Sequence, residues 1–309
     1  MTDHPDSHPD RHPDSHPDET IGFFRPGEGD ALMPAELARS LWSADQMHGV
    51  AVGAALGRAA ERELHDRGRD DLRPVRVTVD LFRPARMREC RLRAEVVRES
   101  ARLCLVDTVL EQDGDERDGG RPIAVARASV LALKPTEDPT GEVWMPESAP
   151  EPPPLDVVPV SEEPRVPFFW SEGVGWSQDF AQHQNGGRKQ LWQTIPAAVA
   201  GETPSTFVAA AAVADSASMV TNWGSRGVEF INTDINLTLA RLPVSREIGL
   251  AATDRVLADG LAVGTVVLFD REGRIGSCTV TAMSNARRAV DFEGTRFTRE
   301  GPRHSSPGA

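Results

Sequence analysis

The stretch VTVDLFRPARMRECRLRAEVVRESARLCLVDTVLEQDG, Val77–Gly114, is the most informative part of the sequence because a similar stretch occurs later in the chain. The second stretch, INLTLARLPVSREIGLAATDRVLADGLAVGTVVLFDREG, covers Ile235–Gly273. Pro84 and Pro243 are 159 residues apart, and so are the glycines that end the two stretches. Each stretch has an alanine-rich segment upstream and a strand-like segment downstream. Two copies of one β-rich unit predict two similar domains that pack on each other.

The first copy reads as one helix followed by strands. Apolar residues recur at three- and four-residue intervals from His48 to Asp66, which predicts a helix that Ser43 or Asp45 caps. Alternation of apolar and charged residues then predicts half-buried strands, which cover residues 92–96, 103–110 and 123–133.

The second copy repeats this order. Thr203 is predicted as a helix cap, with Pro204 at the first helical position, and the helix continues through FVAAAAVADSASMV, residues 207–220. Residues 235–239 and 263–269 alternate as strands, and Arg-Glu-Gly around Glu272 predicts a tight hairpin turn. One helix covering one face of an antiparallel sheet, twice over, predicts an α+β fold.

Composition limits the class of protein. The chain has 309 residues, enough for two ordinary domains, and a net charge of −13, which argues against nucleic acid as a partner. No apolar run is long enough to predict a membrane span, and the N-terminus lacks the order of a signal peptide. Cys90, Cys104 and Cys278 stand singly without metal-ligand spacing, which favours buried thiols in a cytoplasmic protein.

Segments rich in proline and polar residues divide the chain. The predicted parts are a disordered tail over residues 1–20, a first domain over 21–135, a proline-rich linker over 136–164, a second domain over 165–290, and a flexible tail over 291–309. The first tail repeats His-Pro-Asp four times, so it is either a solvated segment or a weak site for a soft metal.

Four motifs, in this order, resemble those of the double-hotdog acyl-CoA thioesterases. They are HGVAVGAAL at residues 48–56, VTVDLFRPAR at 77–86, FINTDINLTLARLP at 230–243 and LFDREGRIGSC at 268–278. The resemblance covers nearly everything outside the linker and tails. It implies a tandem hotdog fold, in which each copy is a central helix wrapped by an antiparallel sheet, and an acyl-CoA substrate with no cofactor and no metal.

The resemblance also implies the catalytic residues. The family orients an attacking water with Asp, Thr and Gln in the second copy, and these positions correspond to Asp215, Thr233 and Thr281. Asp215 falls in an otherwise apolar helix, where burial would raise its pKa and suit it to act as a base; the alternatives are an acid on the solvated side of the helix or one that caps the next turn. The Thr233 hydroxyl either positions the attacking water beside Asp215 or is simply part of the turn that starts a strand. Thr281 departs from the family Gln and is shorter, and Thr279 is a possible substitute.

The start of the first helix is a candidate substrate-binding element. Backbone N–H groups at a helix N-terminus suit an oxyanion, so Gly49 and Val50, with His48 nearby, are predicted to bind substrate. The alternative is that His48 only begins the helix and that Gly49 permits close packing.

Two further clusters have two interpretations each. Arginines of the first copy either receive the phosphates of coenzyme A or form a solvated strand face; they are Arg73, Arg76, Arg83, Arg86, Arg88, Arg91, Arg93, Arg98 and Arg102. The aromatic stretch Phe168–Trp176 either seals the sheet or lines an acyl tunnel.

The leading hypothesis is therefore a hydrolase that cleaves an acyl thioester by water attack. The alternative is a catalytically weakened double hotdog that binds acyl thioesters or acts as a structural partner, which the threonine at position 281 favours. A hotdog hydratase is disfavoured because no histidine occurs between His183 and His304. Hotdog sheets pair through their edges, so a homo-oligomer is also predicted.

Overall fold

The computed structural model describes residues 21–293, 295–298 and 301–304. The predicted tail over residues 1–20 lies outside the described residues. The helices, apart from three short 3-10 turns, are α1 (Gly49–Asp66), α2 (Phe180–His183), α3 (Thr206–Val213) and α4 (Ser216–Asn222).

The strands of the first half are β1 (Gly22–Pro26), β2 (Leu32–Pro34), β3 (Arg73–Leu81), β4 (Arg91–Glu99), β5 (Leu103–Asp113) and β6 (Pro122–Leu133). Those of the second half are β7 (Phe168–Ser171), β8 (Gly175–Ser177), β9 (Lys189–Thr194), β10 (Ala197–Val199), β11 (Trp223–Gly224), β12 (Gly227–Val228), β13 (Phe230–Asn232), β14 (Asp234–Leu239), β15 (Glu247–Ala258), β16 (Leu261–Asp270) and β17 (Gly273–Ser284). Two further strands, β18 (Thr295–Thr298) and β19 (Gly301–His304), form a hairpin in the region predicted as a flexible tail.

Twelve strands form one continuous antiparallel sheet. Its order is β4-β5-β6-β3-β14-β17-β16-β15-β9-β7-β8, with β13 also paired to β17. The two halves meet where β3 pairs with β14, with Val79 opposite Ile235. Helix α1 packs on β4, β5 and β6, and α4 packs on β15, β16 and β17. The predicted α+β tandem hotdog, two helices wrapped by antiparallel sheet, is confirmed.

The first central helix begins where the sequence predicted, but its cap differs. His48 is the cap, and its Nδ1 accepts a hydrogen bond from the Ala51 N–H at 3.0 Å. The predicted caps, Ser43 and Asp45, lie too far upstream, since the chain between them and the helix is extended at Met47 and His48.

The second central helix is broken, although one continuous helix was predicted. Its cap is Ser205, whose Oγ accepts from the Val208 N–H at 3.0 Å, so Thr203 does not cap it and Pro204 precedes it. At Asp215 the backbone tightens into a 3-10-type turn: the Asp215 N–H donates to Ala212 O and the Ala217 N–H donates to Ala214 O. A 3-10 turn inside a helix is typical of functional positions.

Small residues let α1 and α3 cross at close range. A Cβ atom added to Gly53 would lie 2.7 Å from the Ala211 carbonyl oxygen, and one added to Gly57 would lie 2.9 Å from the Ala211 Cβ. The two central helices therefore contact each other through backbone rather than through long side chains, and this contact fixes how the two halves meet.

The segment predicted as a linker contacts the second half. Val158 is buried against Trp192 and Phe269 on the outer face of the sheet. The Arg271 guanidinium donates to the carbonyl oxygens of Pro153 and Val158. Residues 136–164 contain no helix or strand, but their second part covers the sheet.

The first strand also crosses to the second half. β1 pairs in parallel with β10, with Gly22 opposite Ala197 and Phe24 opposite Val199. Residues 21–26, which were predicted to belong to the first domain, thereby contribute side chains to the cavity described next.

Candidate functional site

A cavity with a volume of about 280 Å³ lies where the two halves meet. Its wall is mostly apolar, with a few polar groups, as ligand sites usually are. It is lined by Ile21, Phe23, Leu37, Arg39, Ser40, Leu41, Trp42, His48, Val50, Pro164, Arg165, Val166, Pro167, Phe169, Phe180, Leu191, Gln193, Pro196, Asp215, Ser216, Ser218, Met219, Val228, Phe230, Asn232, Val290 and Phe292.

Asp215 places a carboxylate in this cavity. The side chain is partly buried at the break between α3 and α4, and Oδ1 accepts a hydrogen bond from Asn232 Nδ2 at 3.1 Å. The Val50 N–H, in the first turn of α1, donates to the same carboxylate. Burial raises the pKa of Asp215 to about 6, and the hydrogen bonds from Asn232 and Val50 limit that rise.

Gly49 gives the carboxylate room to reach the helix. A Cβ atom at this position would lie 2.1 Å from Asp215 Oδ1 and 2.6 Å from Oδ2, closer than any side chain tolerates. Because α1 has 18 residues, its N-terminus carries a partial positive charge, which stabilises the ionised form of Asp215.

His48 holds the helix start in place. Its Nε2 lies 2.7 Å from the Leu37 carbonyl oxygen, which only accepts, so Nε2 carries the proton and Nδ1 accepts from Ala51. Burial lowers the pKa of His48, which favours this neutral form. Its ring packs edge-on against Phe23 at 5.3 Å between centroids. Both nitrogens are engaged, so His48 positions Gly49 and Val50.

Thr233 and Thr281 are not brought to Asp215. Both are exposed, and neither lines the cavity. The Thr233 hydroxyl donates to Thr281 O at 3.3 Å, and the Thr281 N–H donates to Asp234 Oδ1 at 2.6 Å. The structure thus departs from the predicted arrangement, in which both hydroxyls lie beside the carboxylate.

Irregularities in the strands explain this difference. Asn232 opposes Ala282 and Asn236 opposes Thr279, so the segment from Asn232 carries one residue more than β17 between these pairs. Such a bulge changes which side chains face inward. Strict alternation from buried Ile235 would turn residue 233 inward; the bulge turns residue 232 inward instead.

Strand β17 presents an apolar inner face. Cys278, Val280 and Ala282 are buried, whereas Thr279 and Thr281 alternate with them on the other face. The substitute Thr279 pairs with Thr265 on the outer face, with 3.1 Å between their hydroxyl oxygens, and does not line the cavity.

Asn232 is the functional candidate that the sequence did not single out. It lies in a run, Asn-Thr-Asp, in which every member is polar, so composition alone could not rank it. A usable signal was its two-residue spacing from Phe230, which also lines the cavity.

The arginine cluster and the aromatic stretch, which each had two interpretations, differ in whether they reach the cavity. None of the nine arginines lines the cavity, and several pair with nearby acids: Arg83 with Asp118, Arg86 with Asp45, Arg91 with Glu89, and Arg93 with Glu95 and Glu111. This favours the solvated-face interpretation. In the aromatic stretch, Phe169 lines the cavity, while Phe168 and Trp176 pack on the outer face.

The described residues contain no group of three or more His, Cys, Asp or Glu side chains arranged to hold a metal ion. Among the same residues, no helix has the length and apolarity that a membrane crossing requires.

Comparison with family models gives two matches. Residues 38–131 match the acyl-CoA thioesterase N-terminal domain, and residues 146–284 match the acyl-CoA thioesterase C-terminal domain. The first matched range begins after β1, and the second includes the part of the linker that covers the sheet. A search of curated proteins found no match.

Solved structures resemble the whole arrangement at low sequence identity. The tesB protein of Mycobacterium avium subsp. paratuberculosis has a TM-score of 0.58 at 15% identity, covering 84% of this chain and 95% of that one. The acyl-CoA thioesterase II TesB2 of Mycobacterium marinum has a TM-score of 0.53 at 10% identity, covering 84% and 94%. A hot dog fold protein of unknown function from Alicyclobacillus acidocaldarius has 0.53 at 16% identity, covering 84% and 94%. At these identities, the likeness shows the fold.

Proposed function

Because the chain belongs to the acyl-CoA thioesterase family and has its tandem hotdog fold, we propose that it hydrolyses acyl-CoA thioesters at the Asp215 cavity. The observation that carries the proposal is a carboxylate with a pKa of about 6, held at the N-terminus of a long helix in an apolar cavity. A base whose pKa lies just below the working pH suits proton transfer from water.

In the proposed reaction, Asp215 accepts a proton from water while the water oxygen attacks the thioester carbonyl carbon. The carbonyl oxygen becomes an oxyanion. N–H groups of the first turn of α1 have no acceptor within the helix, so Gly49 is positioned to donate to it. The intermediate then collapses, the C–S bond breaks, and the coenzyme A thiolate takes the proton from Asp215.

Asn232 takes the orienting role in this proposal. Its amide nitrogen donates to Asp215 Oδ1, which fixes the orientation of the carboxylate toward the water. In this proposal, Asp215 and Asn232 take the place of the family's three catalytic residues. Thr233 and Thr281 do not contact the water, and Thr281 instead donates hydrogen bonds to Asp234 from its N–H and its hydroxyl.

Release of free thiol from a panel of acyl-CoAs of different chain length tests the proposal. Wild-type protein is expected to release thiol, with a rate that rises with pH through about 6, the pKa of Asp215. Asp215→Asn is expected to lose this activity. Turnover that survives in Asp215→Asn would remove Asp215 from the mechanism.

The second candidate function is binding of acyl thioesters without hydrolysis. The inner face of β17 favours it, since Cys278, Val280 and Ala282 supply no side-chain amide where the family uses one. Under this alternative, calorimetry detects acyl-CoA binding to a protein that releases no thiol.

We also propose that the chain forms a homo-oligomer in the cytoplasm. Exposed apolar side chains cluster on the sheet near the β15–β16 turn, with Val256 opposite Val263 and Leu261 opposite Met283. Patches of this kind are typical of protein interfaces. Light scattering gives the mass in solution, and Val263→Glu is expected to reduce it to that of one chain, 33.5 kDa.

A further inference from the structure

Ser216 places a hydroxyl group beside the proposed base. It follows Asp215 directly in the chain and is the first residue of α4, and both residues line the cavity. Their Cα atoms are about 3.8 Å apart across a trans peptide bond, so a molecule of the size of water can contact both side chains. The hydrolysis proposed for Asp215 makes no use of this hydroxyl.

The Ser216 hydroxyl is available to a molecule in the cavity. The residue is only 9% exposed, yet its hydroxyl makes no hydrogen bond with any described residue. Its oxygen is not shielded from solvent. Gln193 Oε1 and Arg165 Nε, in the same wall, also lack a partner, but both are shielded from solvent, so a bound molecule does not reach them.

Other polar side chains of the cavity wall are already engaged. His48 forms hydrogen bonds through both ring nitrogens, and Ser40 accepts from a backbone N–H at 3.1 Å. The Asn232 amide nitrogen donates to Asp215. Ser216 differs from these groups, since its hydroxyl is still free to bind a molecule next to the base.

The fold itself does not explain a serine at this position. The surrounding segment is rich in alanine, which occupies positions 209–212, 214 and 217. Alanine has a higher helix propensity than serine, and a serine hydroxyl that forms no hydrogen bond adds nothing to compensate. Alanine at position 216 would therefore serve the fold at least as well, and a role in the site accounts for the serine.

A water molecule that attacks a carbonyl carbon has to be held in one orientation. When one of its hydrogens donates to a carboxylate, the water still rotates about that hydrogen bond. A second acceptor for its other hydrogen stops this rotation and directs a lone pair of the water oxygen at the carbonyl carbon. A serine hydroxyl oxygen has the lone pairs to be that acceptor.

We propose that Ser216 positions the attacking water, which donates one hydrogen to Asp215 and the other to Ser216 Oγ. Asp215 takes the first hydrogen as a proton during the attack. The second stays on the water oxygen, which becomes part of the released acid, and the Ser216 hydroxyl keeps its own proton. Ser216 is then a further catalytic residue, because it contacts the reacting water. This inference rests on the proposed function of the Asp215 site.

Ser216→Ala tests the inference. Its kcat for thiol release from acyl-CoA is expected to fall by about 10- to 100-fold, because the water loses one of its two fixed contacts. KM and the midpoint of the pH–rate profile are expected to stay near those of wild type. Ser216→Thr keeps the hydroxyl and is expected to retain most of the wild-type kcat. Urea unfolding is expected to show that Ser216→Ala is at least as stable as wild type, which excludes misfolding as the cause of the loss.

Ser218 provides the matched comparison. Its hydroxyl also lacks a hydrogen-bond partner among the described residues, and the residue lines the same cavity. It lies two residues further along α4, about 200° around the helix axis from Ser216. Ser218→Ala is therefore expected to lower kcat less than Ser216→Ala. Equal losses would overturn the inference, since they would come from a less polar wall rather than from contact with the water.

Two other results would also overturn it. One is a Ser216→Ala enzyme with the kcat of wild type, which would assign the second hydrogen of the water to another acceptor, such as the Asn232 amide oxygen. The other is an equal loss of kcat in Ser216→Ala and Ser216→Thr, which would assign the effect to packing.

The same assay separates these failures from failure of the proposed function. A wild-type protein that releases no thiol, or an Asp215→Asn variant that keeps its activity, overturns the proposed function and this inference together. An active wild type and an inactive Asp215→Asn variant, combined with an unchanged Ser216→Ala variant, overturn this inference alone.

Discussion

The N-termini of α1 and α3 are equivalent in the two halves of the molecule, but opposite charges occupy the matching positions further along. His48 and Ser205 both cap their helix by accepting from its third N–H group. Nine residues after its first residue, α1 has Arg58; nine residues after its first residue, the broken helix of the second half has Asp215.

Arg58 and Asp215 also differ in their surroundings. Asp215 faces the start of α1 across Gly49 and is otherwise surrounded by the cavity. Arg58 instead pairs with Glu202, with 2.5 Å between Nε and Oε2. Near Ser205, Glu61 is partly buried, which raises its pKa, and it hydrogen-bonds that serine. Duplication thus preserved the geometry of both helix starts, but only one of them faces a carboxylate across a glycine.

The largest expected effect contrasts Asp215 with Arg58. Asp215→Asn removes the base and is expected to lower kcat by about 10²- to 10⁴-fold. Arg58→Gln removes the equivalent charge and is expected to leave kcat within the range of wild type. Steady-state thiol release measures kcat of both variants. An equal loss of kcat in the two variants would mean that both halves of the molecule contribute equally to catalysis.

A second contrast concerns the first residue of each helix. In Gly49→Ala the new Cβ must displace the Asp215 carboxylate, so kcat is expected to fall by about 10²-fold, the usual cost of a misplacement near 1 Å. Thr206→Ala, at the matching position of α3, is the control and is expected to have little effect on kcat. An active Gly49→Ala enzyme would contradict the close contact between Gly49 and Asp215.

We expect the free energy of unfolding to depend on pH through Asp215 and not through Arg58. The pKa of Asp215 is about 6 when folded, above its ordinary value of 3.8, so ionisation opposes folding. The penalty is absent below about pH 4 and complete above about pH 6. Asp215→Asn is therefore expected to be more stable than wild type by about 1–3 kcal/mol at pH 8, with a smaller gain at pH 5. Urea unfolding at the two pH values measures this, and Arg58→Gln should show no such pH-dependent gain.

The smallest expected effect concerns Asn232. Its hydrogen bond lowers the pKa of Asp215, so Asn232→Ala is expected to shift the midpoint of the pH–rate profile upward, with a reduced kcat. Thr233→Ala, one residue further along and exposed, is expected to leave the midpoint unchanged. If the threonine variant gives the larger shift, the inward residue in solution is Thr233, as strict alternation predicts.

Much of the fold was predictable because local patterns are read directly from the chain. The repeat, the helix from position 48, the alternation along β4 to β6 and the Arg-Glu-Gly hairpin all correspond to elements of the structure. The errors occurred where local chemistry has several solutions. Ser43, Asp45 and Thr203 are all acceptable caps, but contacts elsewhere in the fold select His48 and Ser205.

The candidate site was predictable only in part. Asp215 stands out as an acid within an alanine-rich segment, and Gly49 as a glycine at a helix start. Asn232 and Thr233 could not be ranked, since one bulge decides which of them faces inward and its position depends on pairing with β17, some 50 residues later in the chain.

The duplicated α+β architecture, the small-residue helices and the one unusual acid are specified by local patterns in the sequence, because periodicity and composition act through neighbouring residues. Three features come from long-range contacts in the folded chain: β1 crosses to the second half, Asp215 meets the start of α1, and Asn232 rather than Thr233 reaches Asp215. These contacts join residues far apart in the chain, and strand register and helix crossing, which no local pattern specifies, bring them together.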